Sequence, residues 1–164
     1  MNERQTKSAI TDFPLIWRWT SPAHALFSHS ELAGLHPCSP VEAARIHDDS
    51  RAFDIRDGLD PQYFSGLSAH SANVSTAEGS SWLRAQVPDL AEQVVVSWER
   101  DTALQTSWDF FTARWDDFCY PSSDDVLILP DSGSWVLRYH HEEIFYFGSR
   151  KLNLGSLSDL TYLP

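Results

Sequence analysis

The sequence is short of lysine, cysteine, methionine and long apolar runs. Only two of its 12 basic residues are lysines and ten are arginines, which we read as nucleotide-composition bias rather than chemistry. Those 12 cations face 23 acids, for a net charge of −11 over 164 residues. Such a balance argues against nucleic acid or an anionic membrane held through a basic footprint. Two cysteines, Cys38 and Cys119, are too few for a disulfide framework. The N-terminus is polar and has no apolar stretch behind it of the kind a secretory signal carries. The longest purely apolar runs are four residues, such as Val126 to Leu129, too short for a membrane helix. These observations lead to the expectation of a cytoplasmic protein with reduced thiols. The chain also lacks a glycine-rich phosphate loop, a Gly-x-Ser-x-Gly elbow and a Ser-x-x-Lys pair. No repeat or low-complexity segment is present.

What is abundant is apolar and aromatic: 42% of residues are hydrophobic, with 7 Trp, 9 Phe and 5 Tyr. A disordered chain lacks that payload. The length favours one domain over 1–164, able to bury roughly 70% of its unfolded surface without staples. Residues 1–10 read as a frayed tail. The charge is uneven: Ala85 to Ser149 holds 12 acids and three arginines, net −9, and the rest of the chain is net −2. Asymmetry of this kind points to an interaction surface more than to a fold.

Phe13 to Trp19 reads as a short strand. Ser39-Pro40-Val41-Glu42 is a helix start, with a serine cap, proline at the first helical position and a closing glutamate. That helix is expected to reach about His47. The segment 48–80, broken by Gly58, Pro61, Gly66 and Gly79, reads as loops. Its length makes a missed helix a live alternative. Gln93 to Trp98 has the β-branched run of a strand. Leu104, Trp108, Phe111, Trp115 and Phe118 recur within an arc of roughly 80° at helical pitch, predicting one aromatic-faced helix. Thr106 and Asp109 would mark its start and Pro121 would follow its end. Val126 to Leu129, the alternating Trp135 to His140, and Ile144 to Phe147 read as three strands, the last ended by Gly148. The expected fold is α+β: an antiparallel sheet of about four to five strands packed on one aromatic-faced helix plus shorter helices. The leucines from Leu152 onward are expected to dock on the core.

The run from Asp116 to Asp125 carries four carboxylates, Asp116, Asp117, Asp124 and Asp125, with Tyr120 between them. On the expected helix Asp116 and Asp117 occupy the last turn, where the macrodipole disfavours them. Rule-breaking of this sort tends to mark function. A solvated loop whose Asp and Ser cap turns is the plainer alternative. A calcium loop is disfavoured because the glycine turn and closing glutamate are missing. In His140-His141-Glu142-Glu143, adjacent strand residues point to opposite faces. The two imidazoles therefore cannot share a metal unless the strand ends between them, and a polar hairpin turn is the simpler reading. Glu142 and Glu143 would extend the acidic face. Arg138 shares a strand face with His140 and is free to pair with a loop carboxylate. Cys119 has acids and no lysine beside it, so it is a poor nucleophile. Core is the expected place for each tryptophan, but one exposed beside the acids would be an interface anchor.

Over Trp98–Lys151 the chain resembles small bacterial proteins of a domain-of-unknown-function family. Trp108, Trp115, Phe118, Tyr120, Pro121, Asp124, Asp125, Phe145, Phe147 and Gly148 carry that resemblance. It implies no activity. In size, charge and layout the chain is also similar to acidic immunity proteins of toxin systems, an analogy only. The expected function is accordingly a stoichiometric binding protein, an immunity- or antitoxin-like inhibitor. Asp116, Asp117, Tyr120, Asp124, Asp125, Glu142 and Glu143 would cover a basic protein partner such as a toxin. No catalytic residue, metal or cofactor is assigned, no nucleic acid or membrane is expected, and the chain would be a monomer or homodimer. The alternative is a small enzyme or ligand-binding domain with a pocket near His140, Glu142, Arg138 and Asp125.

Overall fold

The computed structural model describes residues 8–151. The expected leucine-rich docking segment, and all of the expected tail except Ser8 to Ile10, lie outside the described residues. The architecture is mixed α and β, built on one antiparallel sheet of seven strands, more than the four to five expected. Its strands are β1 (His36–Pro37), β4 (Phe64–Ser71), β5 (Gln93–Glu99), β6 (Thr102–Ser107), β7 (Val126–Pro130), β8 (Trp135–His140) and β9 (Ile144–Arg150). Their spatial order is β1-β6-β5-β7-β8-β9-β4. A separate two-stranded hairpin pairs β2 (Asp54–Ile55) with β3 (Gly58–Leu59). The helices are α1 (Trp17–Thr20), α2 (His29–Ala33), α3 (Pro40–Ser50), α4 (Thr76–Gln86), α5 (Trp108–Ala113) and α6 (Trp115–Phe118).

Both faces of β8 are covered. Along β8 the alternation was legible: Trp135, Leu137 and Tyr139 share the main core with Phe111, Phe118, Ile128 and Phe145. The opposite face is not solvent, as a half-buried strand would have it. Val136 packs there with Leu59 and Phe64, and Arg138 donates to the carbonyls of Ile55 and Gly58. The covering is supplied by residues 51–64, which no local pattern ties to β8. Strand β9 also runs through Gly148 to Arg150. A Cβ there would come within 3.0 Å of Phe64 and Leu67, so the glycine permits close approach of β4 instead of ending the strand.

The predicted single helix over 104–118 is three pieces. Leu104 lies in β6, and α5 and α6 meet at Arg114, whose φ of −131° breaks the spiral. The cap is Ser107, which accepts from the Phe110 N–H at 3.1 Å, not Thr106. All five stripe residues are nevertheless buried in the main core. The periodicity identified their burial correctly and their element incorrectly, because pairing with β5 and β1 holds 102–107 extended. Phe13 to Trp19 is not a strand. Turns lead into α1, and Phe13 and Trp19 stack at 5.8 Å under the main core. The segment 48–80 contains β2, β3, β4 and the start of α4. Strand β4 carries Gly66 at φ +59° and a register shift between Ser65 and Ser68. Sheet pairing rather than propensity holds it. Helix α3 begins at Pro40 as expected, with the Ser39 hydroxyl accepting from the Glu42 N–H at 3.2 Å, and runs on to Ser50; the return bond from the Glu42 side chain that would close a capping box is not formed.

Candidate partner-binding face

The expected site residues lie in α6, in the run that follows it and in the turn between β8 and β9. The Ser122 N–H donates to the His141 carbonyl at 2.9 Å and the His141 N–H to the Asp125 carboxylate at 3.3 Å, tying the run to the turn. Asp116 and Asp117 do not end a long helix. They occupy the first turn of the four-residue α6, so the macrodipole argument against them does not apply. Asp116 is exposed and accepts from the Thr76 hydroxyl. Asp117 is half-buried, and burial followed by the Asp116 charge pushes its carboxyl above the ordinary range.

Asp124 is a correction. It is 7% exposed and bound bidentate by Arg18, with Nη1 at 2.5 Å and Nη2 at 3.0 Å. It also accepts from the Tyr120 N–H at 2.8 Å and the Ser123 hydroxyl at 3.0 Å. This is an internal clamp that shapes the loop, and Asp124 has no free face for a partner. The adjacent Asp125 is exposed. Cys119 is buried beside the clamp and its thiol is pushed well above its ordinary value, chiefly by burial.

Arg18 also positions an aromatic patch that the sequence reading missed. Its guanidinium lies 4.2 Å from the Tyr120 ring centre and 5.4 Å from that of Trp17. Trp17 is 41% exposed and meets His24 at 4.7 Å and Tyr120 at 6.0 Å. Its neighbour Trp19 is fully buried. Residues two apart on a helix lie on opposite sides of it, which is the signal that separates the two once 17–20 is known to be helical. Burial raises the Tyr120 phenol; Arg18 opposes that, and Asp117, Asp124 and Asp116 add to it.

At the turn, β8 ends at His140, and the two imidazoles are not directed apart. Their ring centres are 4.1 Å apart. The His141 Nδ1 lies 3.0 Å from one Asp125 oxygen and 3.2 Å from the other. The His140 Nε2 lies 3.8 Å from Asp125. Burial pushes the Asp125 carboxyl up, but hydrogen bonds from the His141 ring and backbone outweigh it and hold the group below its usual value. Glu142 is exposed, whereas Glu143 adopts φ 60°. That conformation is held by the Glu143 N–H on the His140 carbonyl at 2.9 Å and the Ala72 N–H on the Glu143 carbonyl at 2.7 Å. Arg138 does not chiefly serve the loop. Its Nε pairs with Asp54 at 2.9 Å, and its approach to Asp125 is only 3.9 Å.

A groove of about 410 Å³ lies elsewhere, between α3 and β5, β7 and β8. Arg45, Asp49, Phe53, Asp131 and Arg150 line it, with the Arg150 guanidinium 4.3 Å over the Phe53 ring. None of the residues expected to line a pocket (Arg138, His140, Glu142, Asp125) contributes to this groove. Among the described residues no helix is long and apolar enough to cross a membrane. Comparison with known proteins finds no matching family model, curated protein or solved structure.

Proposed function

We propose that this chain is a stoichiometric binding protein of the immunity or antitoxin type, which covers a basic surface on a protein partner. The observation that carries the reading is Trp17, a large ring left 41% exposed against Tyr120, which follows Asp116 and Asp117 by four and three residues in the chain. Trp, Tyr and Arg dominate interface energetics when they sit at a desolvated centre with a polar rim. Here Trp17, Tyr120 and the Arg18 cation beneath them form the centre, and Asp116, Asp117, Asp125, Glu142 and Glu143 form the acidic rim. The net charge of −9 over Ala85 to Ser149 would speed encounter with a basic target and make it salt-sensitive.

The test is capture from native cell lysate at low and at roughly fivefold higher salt, since screening weakens rim charges. Three baits are compared: wild type, Trp17→Ala, and Asp116→Lys with Glu142→Lys. The expected result is a basic protein retained by wild type, weakened by salt and lost with both variants. Equal capture by all three baits, or no partner at either salt, overturns the reading and leaves a ligand-binding domain as the better description. Asp124 is unsuitable for this test because its replacement breaks the interior.

A further inference from the structure

We infer that Asp125, His140 and His141 form a binding site for a divalent transition-metal ion, with zinc the reference case. One ligand atom from each residue lies within 4.8 Å of the others. Two imidazoles and a carboxylate suit zinc, copper, nickel or iron, whereas magnesium and calcium prefer oxygen alone. Metal–ligand bonds of 2.0–2.2 Å put the edges of a zinc tetrahedron at about 3.3 Å. Measured to the same Asp125 oxygen, Oδ1, the His141 Nδ1 lies at 3.2 Å and the His140 Nε2 at 3.8 Å, close to that length or somewhat beyond it. Closing the site around an ion requires the three ligand atoms, now within 4.8 Å of one another, to draw in toward that edge.

The cluster is also held in place from behind. His140 is only 9% exposed, so its ring is fixed by packing. The backbone of His141 is tied to both Asp125 and Ser122. Glu142 completes an outer shell: its carboxylate stands 3.8 Å from the His140 Nδ1. A histidine that binds metal through one nitrogen usually gives its other N–H to a carboxylate or carbonyl. The Glu142 backbone N–H also lies against that Nδ1, at 3.3 Å. With a metal on Nε2 the ring proton sits on Nδ1, which donates to the Glu142 carboxylate once the Glu142 backbone N–H has turned away from it. The cation Arg138 stands 3.9 Å from Asp125. It is engaged by Asp54 at 2.9 Å and by the Ile55 carbonyl at 2.8 Å, so it does not neutralise Asp125.

The inference shares Asp125 and Glu142 with the rim of the inhibitor reading but does not depend on that reading, and it is tested on the untagged full chain after chelation and dialysis. Zinc alone is titrated by calorimetry, and cobalt by its visible absorption. One ion per chain is expected, with a micromolar or tighter Kd and an intense cobalt band of low coordination number. His141→Ala and Asp125→Asn should each weaken zinc at least tenfold. His29→Ala, an exposed histidine outside the cluster, should leave it unchanged. In wild-type chain, zinc should move the ring NMR signals of His140 and His141 ahead of the other five histidines, a readout independent of any variant's folding. No saturable binding up to about 1 mM zinc (a free energy near −4 kcal/mol), unchanged affinity in both cluster variants, or shifts led by other histidines would overturn it.

Discussion

Arg18 and Asp124 are 5% and 7% exposed, so each is a buried charge whose partner is the other. Removing one side of such a pair costs about 3–5 kcal/mol, whereas replacing both with apolar groups of similar size is often neutral. Arg18→Ala or Asp124→Ala should therefore lower the urea midpoint sharply, and Arg18→Met with Asp124→Leu should lose less than either single change. The Arg18 Nε, which has no partner among the described residues, adds to the cost that the apolar pair would relieve. Asp117 has the opposite sign. Its folded carboxyl titrates above its ordinary value, chiefly through burial and then through Asp116. At neutral pH the folded state therefore bears a penalty, which fades as pH falls through the raised value and is gone below the unfolded one. Asp117→Asn should raise the thermal midpoint at pH 7, with the gain vanishing at acid pH; a gain that persists in acid would contradict this. At this scale the chemical types were legible in the sequence and their exposure was not. Asp124 and Asp125 are identical neighbours in a polar run, and only Arg18, 106 residues away, draws one of them inside.

At the scale of elements, α4 and α6 show how packing sets a residue's identity. Gly79 lies in α4 against Trp115, and a Cβ there would fall 2.6 Å from the indole. The same indole N–H donates to the Thr76 carbonyl at 3.1 Å, fixing the ring in place. Gly79→Ala gains about 1 kcal/mol of helix propensity but overpacks the contact at about 1–3 kcal/mol. Chemical denaturation should show a net loss, and a stabilised variant would mean that Trp115 yields. Ser107→Ala should cost about 1 kcal/mol by removing the α5 cap. The caps of α3, α4 and α5 were readable in principle, because Ser39, Ser75 and Ser107 each accept from the N–H three residues on. The Ser75 signal lay in a stretch rich in breakers and was lost there. The break at Arg114 carries no proline or glycine to announce it.

For the molecule as a whole, the seven-stranded sheet joins the two cores, since β8 sends Leu137 to one and Val136 to the other. Loss of either core should expose the same strands. Urea unfolding followed by tryptophan fluorescence and by far-UV dichroism should therefore give one coincident transition; separated midpoints would mean that the Leu59–Phe64 side melts independently. The sequence by itself determined the α+β class, the β5, β7, β8 and β9 strands, the apolar stripe and the acidic second half, because each is written in local periodicity, propensity or charge. Tertiary structure alone decided the strand count, the burial of Asp124, the exposure of Trp17 and the meeting of Asp125 with His140 and His141. Those outcomes depend on contacts between segments far apart in the chain, and no local pattern encodes which distant segment will cover a given face.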